Sequence, residues 1–352
     1  MIISEWLDSE DEKSGILSLT KKVFGDTHVS KPLFFDWQYR QNPQGKAVIS
    51  LAKNGQDNNS IIIGVEAILP MKLMVDQQIV TGALSCNSAV DPNYRKKGIF
   101  SQLISSIQEK SIERGISCIY GVANDKSVEA FIKKGSAEIV SLPILVKPLR
   151  LSKYFDSFLG KLIQPFDVIW KVKLNNNPNV KKQETQFNSD FDLLVDKASK
   201  RFSIIQRRDK DFLIWRYEKH PIHKYQIFVL KQGSVLKGYV ITTQTMINGK
   251  KIGIIVDLLV DETANEKELK DLIDISLVDF WENNVLVAIA TCRPGLFEWN
   301  LLRKSGFFKV PEILKPQPLH FILIQKNSQD HCLDKLKQYK SWYFSFGDYD
   351  IF

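Results

Sequence analysis

The chain has 352 residues, which is long for one ordinary domain and predicts two. Hydrophobic residues make up 44% and charged residues 25%, proportions typical of a soluble globular protein rather than a disordered or membrane-spanning one. The net charge of +8 suits an anionic ligand, but no run of Arg and Lys with interleaved aromatic residues indicates nucleic-acid binding.

The cysteines and histidines form no metal-binding or disulfide pattern. The four cysteines are scattered without a Cys-x-x-Cys pair, and the five histidines do not cluster with them. We therefore expect free buried thiols in a cytoplasmic, reducing compartment and no metal. The acidic N-terminus predicts no signal peptide, and no apolar run is long enough to span a membrane. Oligomeric state is not indicated.

The first elements in chain order predict a helix followed by antiparallel strands. Residues 14–24 have helical apolar spacing, and Gly25 ends the helix. An aromatic cluster at 34–39 is expected to pack in the core. Apolar runs predict strands at 47–52, 60–69 and 83–90. Glu66 is an acid inside one of these strands, which makes it either a functional carboxyl or a residue that faces solvent.

A short basic turn at 91–98 then separates a strand from a helix. Its tip carries three cations, and Gly98 permits close approach of the backbone to a ligand. The following residues have helical spacing, with Ile99, Leu103 and Ile107 on one stripe. A helix start offers unpaired N–H groups and the positive end of a dipole, so the turn predicts a site for pyrophosphate. Neither a Gly-x-Gly-x-x-Gly turn nor a P-loop is present.

Two motifs in this region carry a family resemblance. Arg95-x-x-Gly98-x-Phe100 resembles the acetyl-CoA pyrophosphate loop of the GCN5-related N-acetyltransferase (GNAT) family, although Phe100 replaces the usual small residue. After a predicted strand, Asn124-x-x-Ser127-x-x-x-Phe131-x-x-x-Gly135 resembles the element that closes the cofactor site. The alternative interpretation is a basic turn that caps an ordinary helix of an α/β domain.

The resemblance implies a fold and a set of cofactor contacts. The fold is α/β (α+β), with a mixed central sheet flanked by helices, and residues 1–148 form the cofactor-binding domain. The bound cofactor is acetyl-CoA, held by strand N–H groups, the basic turn and the late helix, which correspond to Ser88, Ala89, Val90, Arg95, Lys96, Lys97, Gly98, Ile99, Phe100, Ser101, Asn124, Ser127 and Phe131.

The catalytic groups are less clear from the sequence. The family often uses a tyrosine of the late helix as general acid, but Phe131 has no proton to give, so another hydroxyl acts or CoA leaves as the thiolate. For the base we consider Glu66 first and then Asp348 near the C-terminus, because burial can raise a carboxyl pKa towards neutrality. Asp348 has the alternative of facing solvent.

Residues 149–186 differ from their surroundings. Apolar residues recur at helical spacing from 149 to 170, which predicts an amphipathic helix with a kink at Pro165. The helix either packs between two domains, which we favour, or lies on a membrane surface. A linker follows it.

The rest of the chain repeats the first part. Four residue pairs are each 178 residues apart: Phe24 and Phe202, Trp37 and Trp215, Tyr39 and Tyr217, Pro43 and Pro221. Residues 187–326 are therefore predicted to form a second, degenerate GNAT-type domain, and 327–352 a C-terminal tail. The equivalent turn, Asp261 to Glu268, has no glycine and carries three glutamates that would repel pyrophosphate.

These features predict an acetyl-CoA-dependent N-acetyltransferase that acts on a primary amine of a small molecule. An amino sugar in surface polysaccharide biosynthesis is the preferred acceptor by family association. Two alternatives stay open: a non-catalytic acyl-CoA scaffold or sensor, and a transferase of the aminoacyl or peptidyl type.

Overall fold

The computed structural model describes residues 1–55, 60–154, 161–162, 164–172, 177–183, 186–315, 317–325 and 335–349. The strands in chain order are β1 (Ile2–Glu5), β2 (Val48–Asn54), β3 (Ile61–Val75), β4 (Gln78–Val90), β5 (Cys118–Ala123), β6 (Ala137–Ser141), β7 (Ile144–Pro148), β8 (Val180–Gln183), β9 (Ile204–Gln206), β10 (Gln226–Gln232), β11 (Val235–Ile247), β12 (Lys250–Val260), β13 (Val287–Thr291), β14 (Phe308–Lys309) and β15 (His320–Gln325). The α-helices are α1 (Glu10–Phe24), α2 (Pro32–Phe35), α3 (Ile99–Glu113), α4 (Val128–Lys133), α5 (Asp167–Trp170), α6 (Ser189–Ala198), α7 (Lys210–Leu213), α8 (Glu266–Glu282) and α9 (Phe297–Lys304).

The strands form two mixed sheets of matching design, which confirms the predicted fold class. The first has the order β1-β2-β3-β4-β5-β15-β6, and β9 adds to the far end of β3. The second has the order β8-β10-β11-β12-β13-β7-β14. In each sheet one parallel pair, β4 with β5 and β12 with β13, is joined by a crossover helix, as parallel strands require.

The two sheets exchange one strand each. β7 leaves the first half and pairs with β13 and β14, while β15 leaves the second half and pairs with β5 and β6. The sheets therefore do not follow the boundaries at 148 and 187 that the repeat predicts. Sequence periodicity does not encode this exchange, because a strand's alternation says which face it buries and not which sheet it joins.

Helices cover both faces of the first sheet. Alternate residues of β3 point to opposite sides, as strand geometry demands. Val65, Ala67 and Leu69 pack in the core with α1, whereas Ile68 packs towards α3. Ile63, at the register shift between β2 and β3, departs from the alternation and also packs towards α3. The helix α3 has the amphipathic character that its spacing predicts. Its apolar side chains Leu103, Ile104 and Ile107 are buried.

The two halves meet at a pair of equivalent tryptophans. Trp37 and Trp215 stack with ring centroids 4.7 Å apart and planes 13° from parallel. Each indole N–H donates to the other residue's carbonyl oxygen, at 2.8 and 2.9 Å. Both lie in a π-helical turn, at 36–40 and 214–218. The 178-residue repeat thus marks a local two-fold relation between the halves.

We expect Trp37→Ala and Trp215→Ala each to lower the free energy of unfolding by roughly 3–5 kcal/mol. Each change removes a large buried ring and leaves the other residue's carbonyl oxygen without its indole hydrogen bond. Since the two rings share one contact, the double variant should lose clearly less than the sum of the single losses. Urea unfolding of the three variants measures this. Strict additivity would contradict the paired arrangement.

The segment after β7 is not the continuous helix that its periodicity predicts. Its described parts are a 3₁₀ turn at Leu151–Tyr154, a second at Gln164–Phe166 and the short α5. Ser152 N–H donates to Asp167 Oδ1 at 3.0 Å, a contact that a straight helix over fifteen residues, about 22 Å long, would prevent. Arg150 lies 4.1 Å from the ring centre of Trp281 of the second half, so the segment begins packed against that half. Part of the predicted helix and the linker lies outside the described residues.

Candidate active site

A break in strand pairing opens the first sheet. Opposite Glu66 the register of β3 and β4 shifts, so that Asn87 and Ser88 of β4 face one residue of β3. Asn87 adopts φ 53°, in the left-handed region that asparagine tolerates better than most residues. Such a bulge bends its strand. β4 pairs with β5 only over Gly82–Leu84, and beyond that point the two strands diverge.

Two neighbouring contacts fix this opening. A Cβ at Gly121 of β5 would lie 3.2 Å from the Ser85 carbonyl oxygen, so glycine allows close approach where the divergence starts. The Asn87 amide donates to Gln38 Oε1 at 2.6 Å and to the Tyr39 hydroxyl at 2.9 Å. The aromatic segment after α2 therefore holds the bulge in place.

The opening is a cleft of about 850 Å³ that passes from one face of the sheet to the other. Its floor is the unpaired edge of β4 from Ser85 to Val90. One wall comes from the α3 side and includes Arg95, Phe100, Asn124, Lys126, Ser127 and Phe131. The opposite wall comes from the end of α1 and the tail and includes Val23, Phe24, Thr27, His28, Val29 and Tyr349. No carboxylate lines it among the described residues.

The basic turn lies at the start of α3, as predicted. Gly98 is the residue before the helix, with φ 74°, and no side chain caps the helix N-terminus. The first N–H groups of α3, from Ile99 onward, therefore have no partner within the helix. Lys96 is also left-handed, at φ 63°, and the residues from Arg95 to Gly98 are exposed. The turn has the open N–H groups and positive charge that an anionic ligand needs.

Arg95 and Asp91 hold the turn to the end of β4. Arg95 Nε donates to the Val90 carbonyl oxygen at 3.2 Å. Asp91 accepts from Asn93 N–H at 3.0 Å and pairs with Lys22 of α1 at 2.8 Å. The Lys22 and Asn93 contacts hold the Asp91 pKa below its usual value, so this carboxylate stays ionised and its charge is compensated.

The two departures from the family motif contact each other. The rings of Phe100 and Phe131 meet edge to face, with centroids 5.3 Å apart and planes at 87°. A small residue at 100 would leave Phe131 without this partner. The two rings form an apolar part of the cleft wall. The two departures from the family motif are therefore explained by one aromatic contact.

The late-helix motif is also at the cleft, with a capping role. Asn124 Oδ1 accepts from the N–H groups of Lys126 and Ser127, at 3.0 and 3.2 Å, and so closes the turn that leads into α4. The structure therefore brings the predicted cofactor residues from Ser88 to Phe131 to one cleft or to the helix start beside it.

Glu66 lies behind the cleft rather than on its surface. The side chain is 1% exposed, and Ser85 Oγ donates to its Oε1 at 2.7 Å. Burial raises the pKa of Glu66 to about 7, and the hydroxyls of Ser88 and Ser85 oppose that rise. Glu66 thus touches the cleft through Ser85.

Asp348 belongs to a buried ionic network away from the cleft lining. Its Oδ2 accepts from Arg208 Nη2 at 2.6 Å and from Ser345 N–H at 2.8 Å. The same guanidinium binds Asp257 through Nε at 2.9 Å. Burial raises the pKa of Asp348 to about 6, against the lowering effect of Arg208. Asp348 is therefore buried in an ion-pair network, and the alternative in which it faces solvent is wrong.

The corresponding position in the second half, beside β12 and β13, differs from the cleft of the first half. The cavity beside β12 and β13 has a volume of about 10 Å³, and Tyr343 and Ser345 of the tail are among the residues that line it. The Tyr343 hydroxyl donates to the Leu258 carbonyl oxygen of β12. At the start of α8, Asn265 Oδ1 accepts from Lys267 N–H at 2.9 Å. The Asn265 side chain thus caps the N-terminus of α8, whereas the N-terminus of α3 in the first half has no side-chain cap.

A histidine cluster, which sequence spacing did not predict, lies beside the cleft. The ring of His28 is 5.6 Å from that of His223, which is 4.9 Å from that of His220. Burial, and then the charge of Arg216, lower the pKa of His28. Burial also lowers the pKa of His223, to about 4. The three residues come from opposite halves of the chain, so only the fold brings them together.

This cluster predicts a loss of stability in weak acid. Between the unfolded pKa of about 6.5 and the folded pKa of about 4, the unfolded chain protonates His223 while the folded chain does not. The free energy of unfolding should therefore fall as pH decreases through this window. His223→Gln should flatten the dependence by about one proton, as measured by urea midpoints at pH 7.5, 6.5 and 5.5. An unchanged slope would contradict a neutral buried His223.

Three further observations concern the described part of the chain as a whole. No group of three or more His, Cys, Asp or Glu side chains in the described part of the chain is placed to hold a metal ion. Among the same residues, none of the helices has the length and apolar character needed to cross a bilayer. Cys86, Cys118 and Cys292 are buried, as predicted, and belong to no disulfide, and Cys332 lies outside the described residues.

Comparison with known proteins agrees with this geometry. Residues 8–134 match the family model described as an acetyltransferase (GNAT) domain. A search of curated protein sequences gave no match. A crystal structure of a GCN5-related N-acetyltransferase from Anabaena variabilis superposes with a TM-score of 0.64 at 14% identity, covering 92% of this chain and 72% of that one.

Two other solved structures are similar over the same share of the chain. Saccharomyces cerevisiae N-myristoyltransferase with bound myristoyl-CoA gives a TM-score of 0.61 at 14% identity, covering 92% of this chain and 82% of that one. A probable N-acyltransferase of unknown function from Enterococcus faecalis gives 0.61 at 10% identity, with 92% and 73% covered. The family-model match confirms the resemblance for residues 8–134, and the superpositions confirm the fold class over 92% of the chain.

Proposed function

Because residues 8–134 form a GNAT domain, which supports acyl transfer from an acyl-CoA, we propose that this protein is an acetyl-CoA-dependent N-acetyltransferase. The acceptor in this proposal is a primary amine on a small molecule. The observation that carries it is the uncapped, cation-bearing start of α3 beside an open β4–β5 cleft. A diphosphate at that helix start would direct the pantetheine arm into the cleft.

In this proposal one set of residues binds the diphosphate of CoA and another polarises the thioester carbonyl. N–H groups of α3 from Ile99 to Ser101 would bind the diphosphate, and Arg95, Lys96 and Lys97 would neutralise it. The unpaired edge of β4 from Ser88 to Val90 would hold the pantetheine and polarise the thioester carbonyl. Phe100 and Phe131 give this region an apolar wall, and CoA departs as the thiolate because Phe131 supplies no proton.

Charge in the cleft favours one class of acceptor. The charged residues of the described lining are the cations Arg95 and Lys126, and it has no carboxylate. A polyamine or a basic peptide would meet no opposite charge there. A neutral or anionic carrier of a single amine, such as an amino sugar or its nucleotide-linked form, fits better. This reasoning disfavours a basic protein as acceptor, whereas a role in surface polysaccharide synthesis rests on family association.

One observation favours a second candidate, a non-catalytic acyl-CoA sensor. Phe131 occupies the position where the family resemblance implies a general acid. The two functions differ in turnover. A thiol-release assay with acetyl-CoA and glucosamine, a nucleotide-linked amino sugar, spermidine or a glycyl peptide separates them. Release with an amino sugar supports the enzyme, whereas CoA binding without release from any acceptor supports the sensor.

Charge variants test which half binds CoA. Arg95→Ala should weaken CoA binding by up to about fivefold at low salt and less at high salt, because the exposed cation is screened. The matched change in the second half, Lys267→Ala, should leave the affinity unchanged. Titration calorimetry with CoA at two salt concentrations measures both. A loss of affinity in Lys267→Ala would contradict the assignment of the site to the first half.

A further inference from the structure

The wall of the cleft opposite α3 carries one imidazole. His28 begins a 3₁₀ turn, His28–Ser30, that follows α1, and its side chain lines the cleft together with Thr27 and Val29. The cleft floor, from Ser85 to Val90, lies between His28 and the α3 wall. His28 is therefore on the side from which an acceptor would meet a thioester whose CoA enters along α3.

The described lining offers few groups that could take a proton from an amine. It contains no carboxylate, and its guanidinium and ammonium groups are already protonated. Glu66 is behind β4, hydrogen-bonded to Ser85, and Asp348 is held by Arg208. Among the described lining residues, the imidazole of His28 is the group with an ordinary pKa close to neutrality.

The surroundings keep this imidazole neutral. Burial lowers the pKa of His28, and the charge of Arg216 lowers it further. Other titratable groups near His28 come from the second half, where His220, His223 and Tyr225 follow the π-helical turn at 214–218. The Tyr225 hydroxyl accepts a hydrogen bond from Arg216 at 3.0 Å. Asp26 and Lys31, which flank the His28–Ser30 turn, form an ion pair at 2.6 Å.

We propose that His28 is the general base of the transfer reaction and takes the proton that the acceptor amine loses on acylation. This inference rests on the proposed function. The amine nitrogen attacks the thioester carbonyl carbon, forming a C–N bond and a tetrahedral adduct with a positively charged nitrogen. His28 accepts one N–H proton from that nitrogen. Collapse of the adduct breaks the C–S bond, CoA leaves as the thiolate, and the imidazolium proton passes to the thiolate or to solvent.

A weak base suffices for this step. The ammonium centre of the adduct is a much stronger acid than a free alkylammonium ion, so a base whose pKa lies below the ordinary histidine value can deprotonate it. The base must be unprotonated when the amine arrives, and a lowered pKa ensures that at neutral pH. The peptide carbonyls and hydroxyls elsewhere on the lining do not meet this requirement.

The test compares His28→Gln and His28→Ala with the wild type, using acetyl-CoA and the wild type's best amine from the four-compound panel. We expect kcat to fall by about 100-fold or more, with CoA affinity by calorimetry within about threefold of wild type. In the pH profile of kcat, the part of the low-pH decline that is due to protonation of His28 should be absent from His28→Gln, while the part due to protonation of the acceptor amine should remain in both proteins. Added imidazole should restore part of the activity of His28→Ala but not of His28→Gln.

A matched histidine provides the control. His320 of β15 pairs with Asp125 at 2.7 Å and is not part of the lining, so His320→Gln should keep wild-type kcat. Retention of kcat within threefold in His28→Gln, or a loss confined to KM, would overturn the assignment while leaving the acetyltransferase intact. Wild-type protein that binds CoA but transfers to no amine would instead refute the proposed function, and the assignment of His28 with it.

Discussion

Replacing Gly98 by aspartate should weaken CoA binding by about 100-fold or more. The new carboxylate would stand at the start of α3, where the diphosphate is expected. One negative charge about 6 Å from two others, at an effective dielectric constant of about 40, costs about 3 kcal/mol. The site has room for the side chain, since no described atom beyond the adjacent backbone lies within 4 Å of the position of its Cβ. Calorimetric titration with CoA gives the affinity directly.

The matched control is Gly98→Asn, which has nearly the same shape and no charge. Gly98 has φ 74°, and asparagine tolerates this conformation better than most residues. Its affinity should fall by much less than that of Gly98→Asp, and urea unfolding should show similar stability for the two variants. Equal losses of affinity would show that backbone strain and not charge decides binding. Unchanged affinity in both would remove the pyrophosphate site from this turn.

Replacing Arg208 by methionine should lower the free energy of unfolding by roughly 3–5 kcal/mol at neutral pH. The guanidinium is 1% exposed and binds Asp257 and Asp348 together, so its removal leaves two buried carboxylates without their counter-ion. Asp348 is protonated more easily than an ordinary aspartate because burial raises its pKa to about 6. The loss should therefore be smaller at pH 5 than at pH 7.5, as urea unfolding can measure. An Arg208→Met variant as stable as wild type would contradict this account of the network.

Asp348→Asn separates a structural role of this network from a catalytic one. A catalytic base at 348 predicts a fall in kcat of about 100-fold with folding intact. A structural role predicts lower stability and kcat within about threefold of wild type. The contacts with Arg208 and Ser345 favour the second result.

The parts predicted well from sequence are those encoded locally. The Gly98 turn and the start of α3 follow from one glycine, three cations and helical spacing, all within a dozen residues. The repeat of Trp37 as Trp215 correctly indicated two similar halves, and the structure adds that the two rings contact each other. Phe100 and Phe131 stood out as separate anomalies, whereas in the fold they form one contact.

The parts that were missed depend on tertiary structure. Nothing in the alternation of β7 or β15 reveals that each joins the other half's sheet. The sequence of the tail does not reveal that Tyr343 contacts β12 of the second half. His28 has no neighbouring motif, and its relation to His220 and His223 arises only when the halves assemble.

The most direct measurement is a crystal structure of the full chain grown with saturating CoA. It should show one CoA per chain, with its diphosphate on the N–H groups between Gly98 and Ser101 and its pantetheine along β4. Nucleotide density at Asn265 in the second half, or no nucleotide density anywhere at saturating concentration, would contradict a single cofactor site in the first half.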